Sequence, residues 1–294
     1  MEKRFEVSEK VVRLMERGVR LLQPWTVDIG DEVDVGRISG KGVVIYPGCR
    51  VYGAGTVISA GVVLGREGPV TVEECRLGPG VELAGGYFAK SVFLEGARMG
   101  SGSQVREGCL LEEQASGAHG VGLKQTILFP FVTLGSLINF CDCLMAGGTG
   151  RKNHSEVGSS YIHFNFTPEG DKATASLLGD VPRGVMLNRP PIFLGGQGGM
   201  IGPVRLGFGN VVAAGTVLRR DVLAEGRLIF GAGHAEATRA YRPRWYPGLG
   251  RIVRNNEVYV GNLAALGRWY AEVRRGFFAE QEMGGLVCEG AVGV

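Results

Sequence analysis

Aliphatic residues return every six positions along much of this chain. The period runs through Ile45, Val51, Val57 and Val63, then Leu77 and Leu83, then Phe93, Met99, Val105 and Leu111. It returns at Leu194, Met200, Leu206, Val212 and Leu218. Six is neither the 3.6-residue period of a helix face nor the alternation of a long strand. It suits a coil of three short flat strands, in which each hexad forms one side and points its aliphatic residue inward, so that stacked coils bury a continuous core. Such a chain needs a tight corner every few residues, and 50 of its 294 residues are glycine, against roughly 7% in ordinary usage. A β-sandwich would place its turn signals about 8–12 residues apart. The pattern predicts a mainly β fold, a left-handed parallel β-helix of hexapeptide repeats with helices at its N- and C-terminal ends.

The predicted organisation is a helical segment over 1–26, the β-helix over 27–222 with an insertion at about 144–191, and a helical extension over 223–294. Met1 to Gln23 reads as an amphipathic helix through Val11, Leu14, Met15 and Leu22, and its many charges break any signal-peptide core. The hexads are interrupted at Gly117–Gln125 and from Leu144 to about Pro191; interruptions in solenoids emerge as loops, often on the binding face. From Asn255 to Glu282 the chain reads as helical, with Leu263, Leu266, Tyr270, Val273 and Phe277 on one face. The uncharged stretch Gln125–Cys141 contains Pro130 and Gly135 and falls short of the ~20 residues of a spanning helix, so no membrane partner is expected. A net charge of +3 without a basic block gives no sign of a nucleic-acid partner. Six cysteines without a regular framework fit free thiols in a reducing, cytoplasmic setting.

From about Phe129 to Val222 the chain resembles the acetyltransferase domain of the bacterial bifunctional N-acetylglucosamine-1-phosphate uridyltransferase/glucosamine-1-phosphate acetyltransferases. The run L-G-F-G-N-V-V-A-A-G-T-V-L-R-R-D-V is similar to that domain's last coils, which many hexapeptide acyltransferases share. More specific are I-N-F-C-D-C (Ile138–Cys143), R-K-N-H (Arg151–His154), N-F-T-P-E-G-D-K (Asn165–Lys172) and L-L-G-D (Leu177–Asp180). The resemblance implies that His154 is the catalytic base and that Asn153 orients the base region. It implies that Arg151 takes the slot of the family's lysine, that Asn165 and Lys172 contact the substrate or the acetyl group, and that Ala213, Ala214 and Gly215 line an acetyl-CoA groove; Lys152 beside Arg151 is expected to bind substrate as a second cation. It also implies a homotrimer with sites between subunits. Three features depart from the family: its arginine-rich strand appears here as F-P-F-V-T-L-G, the tyrosine of its N-Y-D-G is Phe166, and the tyrosine just after its N-H is not in register. Its N-terminal uridyltransferase domain has no counterpart in the first 120 residues.

Apart from the resemblance, His154 stands in an insertion, follows two cations and precedes Glu156 by two residues. A neutral imidazole there suits removal of an ammonium proton as nitrogen attacks a thioester, and the two cations suit an anionic substrate. His163 alternates with apolar neighbours in Y-I-H-F-N-F and reads as structural, as do His119 and His234 in glycine- and alanine-rich turns. Cys141 and Cys143 could ligate a metal, but C-x-C on a strand merely puts two side chains on one face, and no metal is expected. L-M-A-G-G-T-G-R (Leu144–Arg151) lacks the strand and helix that let a glycine loop cradle phosphate; it reads as a flexible insertion. The expected function is therefore an acetyl-CoA-dependent N-acyltransferase acting on an amino-sugar phosphate or amino-sugar nucleotide. The alternative is a non-catalytic, sugar-nucleotide-binding or scaffolding β-helix related to UDP-N-acetylglucosamine pyrophosphorylase.

Overall fold

The hexads build coils whose matching strands pair in parallel, one coil above the next. A computed structural model describes residues 7–164, 174–231, 238, 240, 242 and 248–294. Two compact units divide the chain: residues 1–124 with 267–294, and residues 125–266. Each is built on parallel β-helix coils.

In the first unit one ladder stacks Arg20–Leu21, Val44–Ile45, Val63–Leu64, Glu82–Leu83, Arg98–Met99 and Ser116–Gly117. Inward residues such as Ile45, Val51, Leu64, Leu77, Leu83 and Phe93 are wholly buried, and each large aliphatic side chain removed from water contributes about 1.5–3 kcal/mol. The period slips by one at the fourth position of the first run. Val63 is half-buried, and Leu64 takes the inward place, because Ile45 pairs Leu64 nineteen residues on. That coil is one residue longer than three hexads.

The expected interruption at Gly117–Gln125 is not an interruption of the coil. Met99 pairs Gly117, and Gln104 pairs Gly122, each eighteen residues on. The aliphatic signal fades there because Gly117 occupies an inward position. A β-carbon on it would lie 2.8 Å from Met99 Cε, so the methionine of the coil before already fills the space.

The N-terminal helix ends earlier than its sequence pattern, whose first six residues lie outside the described ones. It spans Glu9–Glu16, with the Ser8 hydroxyl accepting from Val11 N–H at its start and Val11 and Leu14 buried. By Arg20–Leu21 the chain already pairs with Val44–Ile45. At the other end, a π-helical turn (Trp269–Arg274) and the helices Arg275–Ala279 and Gly284–Gly293 pack on this unit's coils. Tyr270 donates to Glu112, Arg274 binds Glu113, and Arg76 donates to Leu286 O at 2.8 Å.

In the second unit one ladder stacks Thr133–Leu134, Glu156–Val157, Phe193–Leu194, Val211–Val212 and Leu228–Ile229. Another pairs Ile162–Phe164 with Gly199–Ile201, and a third pairs Cys143–Met145 with Ser176–Leu178. Coil strands thus continue inside the 144–191 stretch. Its described additions are a hairpin at Gly148–His154 and the short helix Val181–Gly184.

The helix Leu249–Arg268 turns a different face inward from the one its apolar spacing suggested. Leu266 is buried, but Leu263 is exposed, and Val253 and Val260 face solvent. The inward residues are Asn255, Tyr259, Asn262 and Leu266. Asn255 donates to Asp221 at 2.9 Å, and Asn262 Oδ1 accepts from Val181 N–H at 2.8 Å. These hydrogen bonds orient the helix against its own hydrophobic spacing. In the first unit Tyr270 is buried likewise, whereas Val273 and Phe277 are exposed.

Candidate active site

The hairpin carrying His154 grows out of the strand Asn139–Met145 and returns to the ladder at Glu156–Val157. Glycine makes the departure feasible. Gly147 and Gly148 have φ of +108° and +101°, values that side-chain-bearing residues rarely adopt. A β-carbon on Gly148 would lie 2.7 Å from Asn153 O and from His154 Cα. Only glycine lets the two hairpin strands approach this closely.

Gly148 pairs antiparallel with His154 on one side and forms an antiparallel bridge with Arg189 on the other. Its N–H donates to Arg189 O at 2.9 Å. Ser155, fully buried at the hairpin's base, donates to Ala146 O at 2.8 Å and accepts from Ile192 N–H at 2.9 Å. The hairpin is therefore anchored to the Asn188–Ile192 segment as well as to its own ladder.

Asn153 is exposed and donates to Thr149 Oγ1 at 2.8 Å, closing the hairpin turn. Arg151 donates to Thr133 Oγ1 and is exposed, as is Lys152. His154 is half-buried; its Nδ1 is shut away from solvent with no hydrogen-bond partner. Arg189 Nε is in the same condition. The sequence reading missed Arg189, although its position in the interrupted stretch before two prolines was a signal that could have found it.

Asn165 and Lys172 lie outside the described residues, as does His234. Ala213, Ala214 and Gly215 form a coil corner: Ala213 N–H donates to Ile229 O at 2.9 Å, and Gly215 N–H, at φ +74°, donates to Gly196 O at 3.0 Å. Ala214 and Gly215 are exposed. This corner follows the strand Val211–Val212, whereas His154 precedes the strand Glu156–Val157. The two groups flank strands two rungs apart in one ladder, at opposite edges of it.

His163 is buried on Ile162–Phe164 and engaged at both ring nitrogens. Nδ1 meets Cys141 O, and Nε2 is 2.9 Å from Ser176 Oγ, which also accepts from Val204 N–H at 3.0 Å. A carbonyl only accepts, so Nδ1 carries the proton and Nε2 accepts the serine hydroxyl. Burial pushes this imidazole below its usual range and holds it neutral. The pair has the contacts of a serine–histidine dyad, but both members are enclosed in the core.

Cys141 and Cys143 do not share a face as C-x-C on a regular strand would. Asp142 between them has φ +53°, so the chain turns a corner there. Cys143 is buried and Cys141 only partly so. Among the described residues no group of three or more His, Cys, Asp or Glu side chains could hold a metal ion. No described helix is long and apolar enough to cross a membrane.

No protein-family model matches the chain. It is similar to proteins named bifunctional protein GlmU from three bacteria. Identity is 25% over 214 residues with that of Thermotoga maritima, covering 72% of this chain and 42% of the relative. It is 28% over 212 residues with that of Pelobacter propionicus, covering 72% and 41%. For that of Mycolicibacterium gilvum it is 26% over 244 residues, covering 83% and 44%. The likeness extends well beyond the third of the chain that carries the motifs. The chain spans less than half the length of these relatives, and what it resembles is a hexapeptide-repeat acetyltransferase domain of the GlmU kind.

Proposed function

We propose that the chain is an acetyl-CoA-dependent N-acyltransferase whose acceptor is an amino-sugar phosphate or amino-sugar nucleotide. The observation that carries the reading is the hairpin. It presents Asn153 and His154 on a short antiparallel pair, behind a turn bearing Arg151 and Lys152, in a chain similar over most of its length to GlmU proteins.

In this reading the acceptor amine attacks the thioester carbonyl carbon, forming the C–N bond. The C–S bond breaks, coenzyme A leaves as its thiolate, and His154 takes the proton shed by nitrogen. Backbone N–H groups of the glycine-rich coils stabilise the oxyanion. Arg151 and Lys152 attract the anionic acceptor, Asn153 holds the turn, and Ala213–Gly215 form the acetyl-CoA groove. Asn165 and Lys172 contact the acceptor or the acetyl group, by resemblance.

The placement of His154 and that corner on opposite edges of the ladder favours a site completed by a second copy in a homotrimer. An outward row supports the assembly: Phe193, Val211 and Leu228 occupy successive rungs at 38, 41 and 61% exposure, and contiguous exposed apolar surface marks association sites.

A non-catalytic sugar-nucleotide-binding role is the second reading. It is favoured by one observation: His154 Nδ1 has no carboxylate or carbonyl partner of the kind that orients a catalytic base. The deciding experiment is calorimetric titration with acetyl-CoA followed by a CoA-thiol release screen over amino-sugar phosphates and nucleotides. The acyltransferase reading requires saturable acetyl-CoA binding, turnover with an amine, and a loss of about 10²- to 10⁴-fold in His154→Ala. Sugar-nucleotide binding with no thiol release from any amine would establish the second reading instead.

A further inference from the structure

Among the described residues, four enclosed side-chain nitrogen or oxygen atoms lack a hydrogen-bond partner: those of Ser59, His154, Arg189 and Arg219. An enclosed donor left unpaired is rare in native proteins because its desolvation goes uncompensated. Two of the four, His154 Nδ1 and Arg189 Nε, belong to the residues that pair with Gly148, His154 on the hairpin and Arg189 through an isolated bridge. Strands lie about 4.8 Å apart, so strands separated by one lie roughly 10 Å apart. Two side chains projecting from such strands can close on a single small ion. Gly148 contributes no side chain to the space between them.

The charges around the pair select the ligand. Arg189 is a permanent cation, and Arg151 and Lys152 stand on the hairpin turn. Arg183, the nearest other arginine in sequence, is already held by Asp180 at 2.5 Å and Glu225 at 2.5 Å. A guanidinium N–H shut from water and directed at no protein acceptor is matched by a charged oxygen, with which it forms a short charge-assisted hydrogen bond.

We infer that the hairpin and the Asn188–Pro190 segment form a binding site for a phosphate-type oxyanion, held by Arg189 Nε–H and His154 Nδ1 across Gly148. The inference deepens the proposed function and rests on it in one respect: it supplies the acceptor's phosphate with a cation from outside the coil strand that bears arginines in the resembling family. The same chemistry could come from a phosphate of coenzyme A, and the test separates the two sources.

The probe is inorganic phosphate, titrated into wild-type protein and followed by ³¹P NMR, with the His154 ring nitrogens observed in ¹⁵N-labelled protein. Wild type should bind saturably with a shift at His154 Nδ1. Arg189→Ala should weaken binding roughly tenfold or more, and Arg183→Ala should leave it unchanged. Arg189→Lys, which keeps the charge and loses the Nε donor, should recover part of the affinity; it carries the comparison if the alanine variant fails to fold. Absence of saturable binding, equal affinity in Arg189→Ala, or equal weakening in Arg183→Ala would each overturn the inference and leave ordered water as the partner of both atoms.

Competition by glucosamine 6-phosphate, but not by coenzyme A, assigns the site to the acceptor. The reverse assigns it to the cofactor. Acetyl-CoA binding is measured on the same variants. Acetyl-CoA binding without phosphate binding refutes this inference alone; phosphate binding without acetyl-CoA binding refutes the acyltransferase reading alone.

Discussion

Replacing Gly148 by alanine should open the His154 hairpin while leaving the coils intact. The conformation at φ +101° costs a residue with a β-carbon about 1–2 kcal/mol. The added methyl would also sit 2.7 Å from the backbone at Asn153 O and His154 Cα, and no flexible side chain can yield there. Relieving that overlap moves the strand and gives up the hydrogen bond from Gly148 N–H to Arg189 O, a net loss of about 0.5–1.5 kcal/mol. Together these amount to about 1.5–3.5 kcal/mol, or roughly tenfold to a few hundredfold in the population of an opened hairpin. Gly150, two residues on, is the internal control. It carries no left-handed φ, and nothing lies within 4 Å of its added β-carbon. Its alanine variant should be neutral, or more stable by about 0.4–1 kcal/mol through the unfolded chain. Amide hydrogen exchange read by NMR decides the matter: exchange at Gly148 should accelerate by that factor in Gly148→Ala, be unchanged in Gly150→Ala, and be unchanged in both at Val157 and Leu194. Equal protection of the hairpin in the two variants would refute the argument that only glycine at 148 lets the hairpin strands approach so closely.

Two further outcomes follow from buried polar groups. Asn262→Ala strips the side-chain acceptor from Val181 N–H, which is buried at the start of the Val181–Gly184 helix, and should lower stability by about 1–3 kcal/mol in urea unfolding; a change within a few tenths would mean that water replaces the amide. Glu112 is enclosed beside Tyr270 and Glu113, which binds Arg274, and burial pushes the Glu112 carboxyl up to about 8. The folded protein therefore holds a proton that the unfolded chain releases near 4.5. This stability is fully present below that value and lost as pH rises through about 8. In Glu112→Gln the decline between pH 5 and pH 8 should shrink by an amount on the order of a few kcal/mol; a decline as steep as wild type would refute the assignment of the proton to Glu112.

Repetition and local spacing alone determined the coil architecture. A six-residue period of aliphatic side chains is compatible with few folds, and the same residues that display it, Leu194, Met200, Leu206, Val212 and Leu218, are the ones buried. Where the period faded, the cause was a contact between coils. Gly117 is small because Met99, eighteen residues earlier, fills its space, and nothing local to Gly117 reveals that. The inward face of the Leu249–Arg268 helix was likewise hidden. Its spacing pointed to Leu263, but Asn255 and Asn262 turn inward to hydrogen-bond Asp221 and the Val181 amide. The candidate site divides along the same line. His154 and its neighbours were legible as a contiguous motif on one hairpin. Arg189 joins them only through a strand pairing across 41 residues with Gly148, and that pairing exists because two glycines in a left-handed conformation let three backbones lie side by side. Short-range spacing is written in the order of residues; partners brought together by close backbone approach are decided when the chain packs.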